Sequence, residues 1–391
     1  MDADLAPAVS RVFFAAMKRL NSPRASQDGA STRAAIAANL TAVALVLGLA
    51  PGCGAGRSAP RPAPVAVTVP LPGTDLGAKI ELADADYGDR RYAEALERYR
   101  EIHEAATADG LDALAGEAAA MVAAAIAISV PPGTPEAAEG DVWMERAEAA
   151  STDEDEGAWT RVLLARGLRS LRARDVERAR GTFIYLYNYS SGANRPSRAL
   201  EAAYMASFSS RGPEQVDWMR RALRAAQVVG DPEPEALLWV ELGKLLDRDG
   251  DLESALEAFS KGRDMLAVFA PGSSERQRAE LDVGRALWRA GRPQEACDHL
   301  ERLRAIAQSQ RVQDPSPKSI ELLGSILEQL GEAHATLGEI ERAREFFRGA
   351  QQVLGEAGEV LRASARARKM TERIQALDRP ATGQVIPPKR R

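Results

Sequence analysis

Few side chains in this sequence are suited to metal or nucleophilic chemistry. There are three histidines, His103, His299 and His334, and two cysteines, Cys53 and Cys297. A zinc site draws its His and Cys ligands from characteristic short spacings, and no histidine here has a second ligand at such a spacing. Asp247, Asp249 and Asp251 alternate like the opening of a calcium loop. That loop requires glycine sixth and glutamate twelfth, where this chain has Leu252 and Ala258. There is no Gly-x-Ser-x-Gly elbow and no phosphate-binding loop, since Gly243-Lys244 is followed by Leu245 inside a helical pattern. Cys53-Gly54-Ala55-Gly56 lacks the strand and helix that a dinucleotide loop needs. The expectation is a chain with no catalytic residues, no metal and no cofactor, in which His334 and Cys297 are packing residues.

The chain that would position any site is 391 residues long, 45% hydrophobic and 27% charged, with only 5% aromatics. Alanine, leucine, glutamate and arginine dominate its middle, and these residues lose little on entering a helix. The formal charge is −5, with the excess of acid lying after residue 52. Such a body is a poor surface for sequence-independent nucleic-acid binding, which needs dense basic side chains. Two cysteines, one behind an apolar segment and one within a helical stretch, do not make a disulfide framework.

Residues 34–50 form an apolar, uncharged span of about 17 residues, at the lower limit for crossing a bilayer. Lys18, Arg19, Arg24 and Arg33 precede it and Pro51-Gly52-Cys53 closes it. Positive residues, an apolar stretch and a small-residue exit are the three parts of an export signal, and Met17 offers an alternative start. The exit resembles the lipobox of bacterial lipoproteins, in which small residues precede a cysteine that becomes lipidated. Gly52 fits that pattern; Ala50 and Pro51 depart from it. The resemblance implies lipidation at Cys53, with 1–53 as the signal segment. An uncleaved signal anchor, or ordinary cleavage nearby, is the alternative. Residues 54–75, rich in Pro, Ala and Gly, read as an extended, disordered tether.

From 76 to 378 the chain reads as helices separated by short Gly, Pro or Asp turns, with no sustained strand alternation. Three stretches, about 236–269, 277–310 and 324–357, share one pattern. Each has a glycine in its first helix (Gly243, Gly284, Gly331) and a second at the turn (Gly250, Gly291, Gly338). An alanine follows (Ala255, Ala296, Ala343), then a large apolar residue (Phe259, Leu300, Phe347). The pattern resembles the tetratricopeptide repeat, a helix–turn–helix of about 34 residues. Weaker copies lie forward, at Tyr92, Ala95 and Tyr99 and at Gly167, Val176, Ala179 and Phe183, with further hairpins near 111–150 and 197–228. The implied fold is an all-α, right-handed superhelical solenoid of six to seven hairpins. A capping helix carries Val360, Ala363, Ala367, Met370, Ile374 and Leu377 on one stripe, with Arg362, Arg366, Arg368, Lys369 and Arg373 elsewhere on it. Residues 379–391 read as a disordered tail.

The resemblance implies that first helices line a groove that binds another protein or peptide. Carried over residue by residue, the groove positions are Val240, Lys244, Asp247 and Arg248, then Leu281, Arg285, Trp288 and Arg289, then Glu328, Glu332 and Thr336. Lys244, Arg248, Arg285 and Arg289 suggest a basic strip with Trp288 as its aromatic anchor and Glu332 beyond it. The Asn-based carboxylate clamp of some relatives is not matched, because Glu241 and Asp282 hold the comparable places. A second groove is expected around Trp159, Arg161, Leu164 and Arg172. Together these features predict a non-catalytic scaffold or adaptor, lipid-anchored in a bacterial envelope with its repeats outside the cytoplasm and assisting assembly of a membrane or secretion complex. The alternatives are an inner-membrane scaffold held by an uncleaved anchor in a signalling or secretion complex and, third, an enzyme whose site the sequence does not show. Neither a nucleic acid nor a small-molecule substrate is expected.

Overall fold

The computed structural model describes residues 75–356 and 361–377. The segment 1–53 predicted to direct export, most of the predicted tether 54–75 and the predicted tail 379–391 lie outside these residues. Within them are fifteen helices and no strand. In chain order they are α1 Asp75–Gly88, α2 Tyr92–Ala108, α3 Asp112–Ser129, α4 Pro135–Ala150, α5 Glu156–Arg172, α6 Val176–Gly192, α7 Pro196–Ser209 and α8 Gly212–Val229. There follow α9 Pro232–Asp249, α10 Leu252–Phe269, α11 Ser274–Arg289, α12 Pro293–Gln313, α13 Pro317–Thr336, α14 Ile340–Gly355 and α15 Leu361–Leu377. The helices pair as tetratricopeptide-type hairpins in two compact units. One runs to Arg211 and includes Arg224–Asp231; the other comprises Gly212–Leu223 and Pro232 onward.

Local chemistry sets the helix ends. Asp175, Asp251, Ser273 and Ser316 each accept a hydrogen bond from a backbone N–H three residues on, satisfying a donor that the first turn leaves orphaned. Pro196, Pro293 and Pro317 open helices where no N–H is needed. At the other end, Asp251 N–H reaches back to Leu246 C=O, Arg292 to Leu287 and Glu339 to His334. That six-to-one bond requires a left-handed residue just before its donor, and Gly250, Gly291 and Gly338 supply it at φ of 87°, 77° and 78°. The turn after α5 makes the same bond, Asp175 N–H to Ser170 C=O, but places Arg174 at φ 61°. Arg174→Gly is therefore expected to raise the urea midpoint of unfolding, by about 1 kcal/mol of stability, and Gly250→Ala to lower it by a similar amount. Opposite signs at equivalent turns are the check.

The helical glycines work differently. A methyl on Gly243 would sit 2.7 Å from the Phe259 ring, and one on Gly331 2.5 Å from the Phe347 ring. Gly284 meets Leu300 in the same way, and Gly167 meets Phe183. Each glycine is thus the socket for the large side chain of its own hairpin's second helix, in the weak copy at Gly167 as in the strong ones.

In the amino-terminal unit α3 is central, packed on α2, α4 and α5. Its run Ala118–Ala125 is buried throughout, because alanine lets three neighbours approach at once. It is also the one described helix long and apolar enough to cross a membrane, two-thirds of it buried in this packing. In the second unit Leu300, Ile326, Leu330, Phe347 and Met370 form one apolar cluster, and Ile374 and Leu377 of α15 pack against it. Thus α15 closes the last hairpin, with Lys369 2.7 Å from Glu328 and Arg373 2.9 Å from Glu332.

Candidate functional site

Helices α9, α11 and α13 are the first helices of successive hairpins, and their polar residues meet across the repeats. Trp288 on α11 is half-buried and donates its indole N–H to Thr336 Oγ1 on α13 at 2.8 Å. Arg289 donates to the Asp247 carbonyl at 3.1 Å and pairs with its carboxylate. Lys244 lies 2.7 Å from Glu241, and Arg285 lies 3.1 Å from Asp282. Arg248 donates to Gln215 at 2.8 Å. Burial pushes the Asp282 carboxyl above its usual range, and Arg285 and Lys244 oppose this without overcoming it. Burial likewise raises Glu332, against Arg373 and Lys369.

The structure brings Lys244, Arg285, Trp288 and Arg289 onto one face. The face is not the basic strip suggested by sequence, since each cation there has a carboxylate or amide partner. Val240 and Leu281, carried over as groove positions, are buried instead; Val240 would abut any side chain placed at Gly262. The alternating aspartates also have structural partners: Asp247 holds Arg289 and Asp251 caps α10. His334 is buried as expected, stacked on Phe346 at 5.1 Å and 2.7 Å from Glu339. Cys297 is buried, and burial pushes its thiol up to about 11.

The second groove expected in the amino-terminal unit is not open at Arg161 and Leu164. Arg161 is 4% exposed and holds Asp84 of α1 through two parallel bonds of 2.6 and 2.7 Å, with Glu117 of α3 on its Nε side. Tyr99 of α2 donates its hydroxyl to the same Asp84. Arg172 is spent on the Ile126 carbonyl at the end of α3, and Trp159 lies under the Arg166 guanidinium, 5.3 Å from its ring centroid. Burial pushes Asp84 up, but Arg161 and the Tyr99 hydroxyl bring it below the usual carboxylate range. Nearby Glu201 of α7, paired with Arg198 at 3.0 Å, goes the other way: burial raises it and the arginines do not compensate. Its Oε1 is buried with no hydrogen bond among the described residues. Asp84, Glu117 and Glu201 belong to no short motif; only the stacking of α1, α3, α5 and α7 brings them around Arg161.

Fold and site define a class, an all-α helical-repeat protein of the tetratricopeptide type with a polar face on its first helices. No family profile matches the chain, and no curated protein does. Among solved structures the chain is similar to the nearly identical TPR-like repeats of a putative kinesin light chain of P. anserina. The identity is 17% and the TM-score 0.41, over 49% of this chain and 93% of that one. It is also similar to a signal transduction ATPase with a tetratricopeptide repeat sensor from Pyrococcus horikoshii, at 12% identity and a TM-score of 0.46, over 78% of this chain and 50% of that one. The P58(IPK) TPR domain is similar at 13% identity and a TM-score of 0.27, over 80% of this chain and all of that one.

Proposed function

We propose that this chain is a non-catalytic scaffold that holds a segment of another protein along the shared face of α9, α11 and α13. The observation that carries this reading is Trp288. Its ring is half-buried and fixed in orientation by Thr336, so little conformational entropy remains to be lost on binding. Around it Lys244, Arg285 and Arg289 are paired with carboxylates, and such pairs can exchange partners with a polar segment laid across them. The export segment and Cys53 support a location outside the cytoplasm on a lipid anchor, where the scaffold assists assembly of a membrane or secretion complex.

The test has two readouts on protein extracted from membranes of a Gram-negative host. Intact mass should show a chain beginning at an acylated Cys53; an unprocessed chain with a bare thiol would leave the signal-anchored scaffold instead. Crosslinked partner should fall by at least about tenfold in Trp288→Ala, the loss typical of a central aromatic anchor. Equal crosslinking in the variant would remove the shared face from the proposal.

A further inference from the structure

In the second unit, helices α10, α11 and α12 enclose a cavity of about 360 Å³ on which none of the pairings above draws. Three arginines and one glutamate line it: Arg263 from α10, Arg276 and Glu280 from α11, and Arg302 from α12. Arg276 donates to the Pro271 carbonyl at 2.7 Å and stands 3.5 Å from Glu280, yet its Nε is buried with no hydrogen bond among the described residues. Arg263 is shared between Asp264 at 2.7 Å and Glu280 at 4.0 Å. Arg302 has no carboxylate within ion-pair distance among the described residues. Glu280 is also engaged by His299, another residue lining the cavity, 3.2 Å away. Arg276 lies in the first turn of α11, where the positive end of the helix dipole adds to the field.

We propose that this cavity binds a small organic phosphomonoester, with Arg276 and Arg302 as its principal ligands. Three guanidinium groups are set against Glu280 in the cavity and Asp264, which pairs with Arg263, and this leaves an excess of one positive charge to attract an anion. They also offer more donors than one carboxylate accepts, whereas a phosphate presents three terminal oxygens at close to two negative charges. The volume lies within the range of small-ligand sites and exceeds what a bare anion fills. Leu303 and Ile306 supply an apolar wall for the organic part. This site is separate from the α9, α11 and α13 face and does not depend on the scaffold reading.

The test is calorimetric titration of the full chain, purified in detergent, with glycerol 3-phosphate at constant ionic strength, with glycerol as the control. Saturable binding of the phosphate ester and none of glycerol is expected. Arg302 is exposed, so Arg302→Ala should keep the unliganded melting temperature while weakening binding by about tenfold or more. Arg302→Lys should recover part of the loss. No saturable heat at millimolar ester, or an affinity unchanged in Arg302→Ala, would overturn the proposal and leave a general salt effect.

Discussion

Asp84→Ala is expected to lower the stability of the amino-terminal unit by about 3 kcal/mol, near the lower end of the range for breaking a buried ion pair. Asp84 and Arg161 are both almost wholly buried, and the bidentate geometry offsets the desolvation of each. Removing the carboxylate leaves a guanidinium under the core with Glu117 as its remaining partner. The cost falls at the low end of the range because that partner stays. Replacing both residues, as Asp84→Leu with Arg161→Met, should restore much of the loss, since an apolar pair demands no desolvation. Urea unfolding of the wild type, Asp84→Leu, Arg161→Met and the double variant closes the cycle, and a loss below about 1 kcal/mol in Asp84→Ala would mean that water reaches the pair.

The pH profile separates the two buried carboxylates. Asp84 is depressed in the folded chain, so its contribution is present above its unfolded value of about 3.9 and is lost as pH falls through the folded value. Glu201 is raised, so the folded state holds its proton more tightly. Stability then declines as pH rises from about 4.3 through the folded value and levels off above it. Glu201→Gln should therefore gain on the wild type at pH 7 relative to pH 4, and Asp84→Asn should be worse than the wild type from pH 7 down to about 4 and close the gap as pH falls further.

The hairpins were legible in sequence because their determinants are local. Gly250 and Asp251, or Gly338 and Glu339, specify a turn within a few residues, and Gly243 with Phe259 specifies a close crossing within one hairpin. The amino-terminal hairpins were fainter because Arg90 and Arg174 stand where glycine would mark the turn. The polar sites were not legible, because their partners lie on different hairpins. Arg161 reads from sequence as a groove residue because it stands on a first helix; what fills that space is Asp84, from two hairpins earlier. In the suggested basic strip only Arg289 follows this rule, finding its carboxylate on α9, whereas Lys244 and Arg285 pair with Glu241 and Asp282 three residues earlier on their own helices. Exposure of a charged side chain in a repeat protein depends on the register between repeats, and a single sequence carries little trace of that register.

Phe347→Ala is expected to cost the second unit about 3–5 kcal/mol, the range for emptying a core aromatic site. The ring is 1% exposed, and it joins the cluster that also receives Met370 from α15. Its loss should therefore loosen the capping helix along with its own hairpin. Gly331→Ala attacks the same contact from the other side. The added methyl gains about 1 kcal/mol in helix propensity, but it lands 2.5 Å from the ring, and overpacking of this kind costs about 1–3 kcal/mol. The ring cannot withdraw, because the cluster surrounds it. The two substitutions should therefore be strongly non-additive: Gly331→Ala, harmful beside Phe347, should become neutral or stabilising in the Phe347→Ala background. A cycle measured by chemical unfolding, with loss of helicity followed by circular dichroism, reads this directly. Additive costs would mean that the glycine serves some purpose other than receiving the ring.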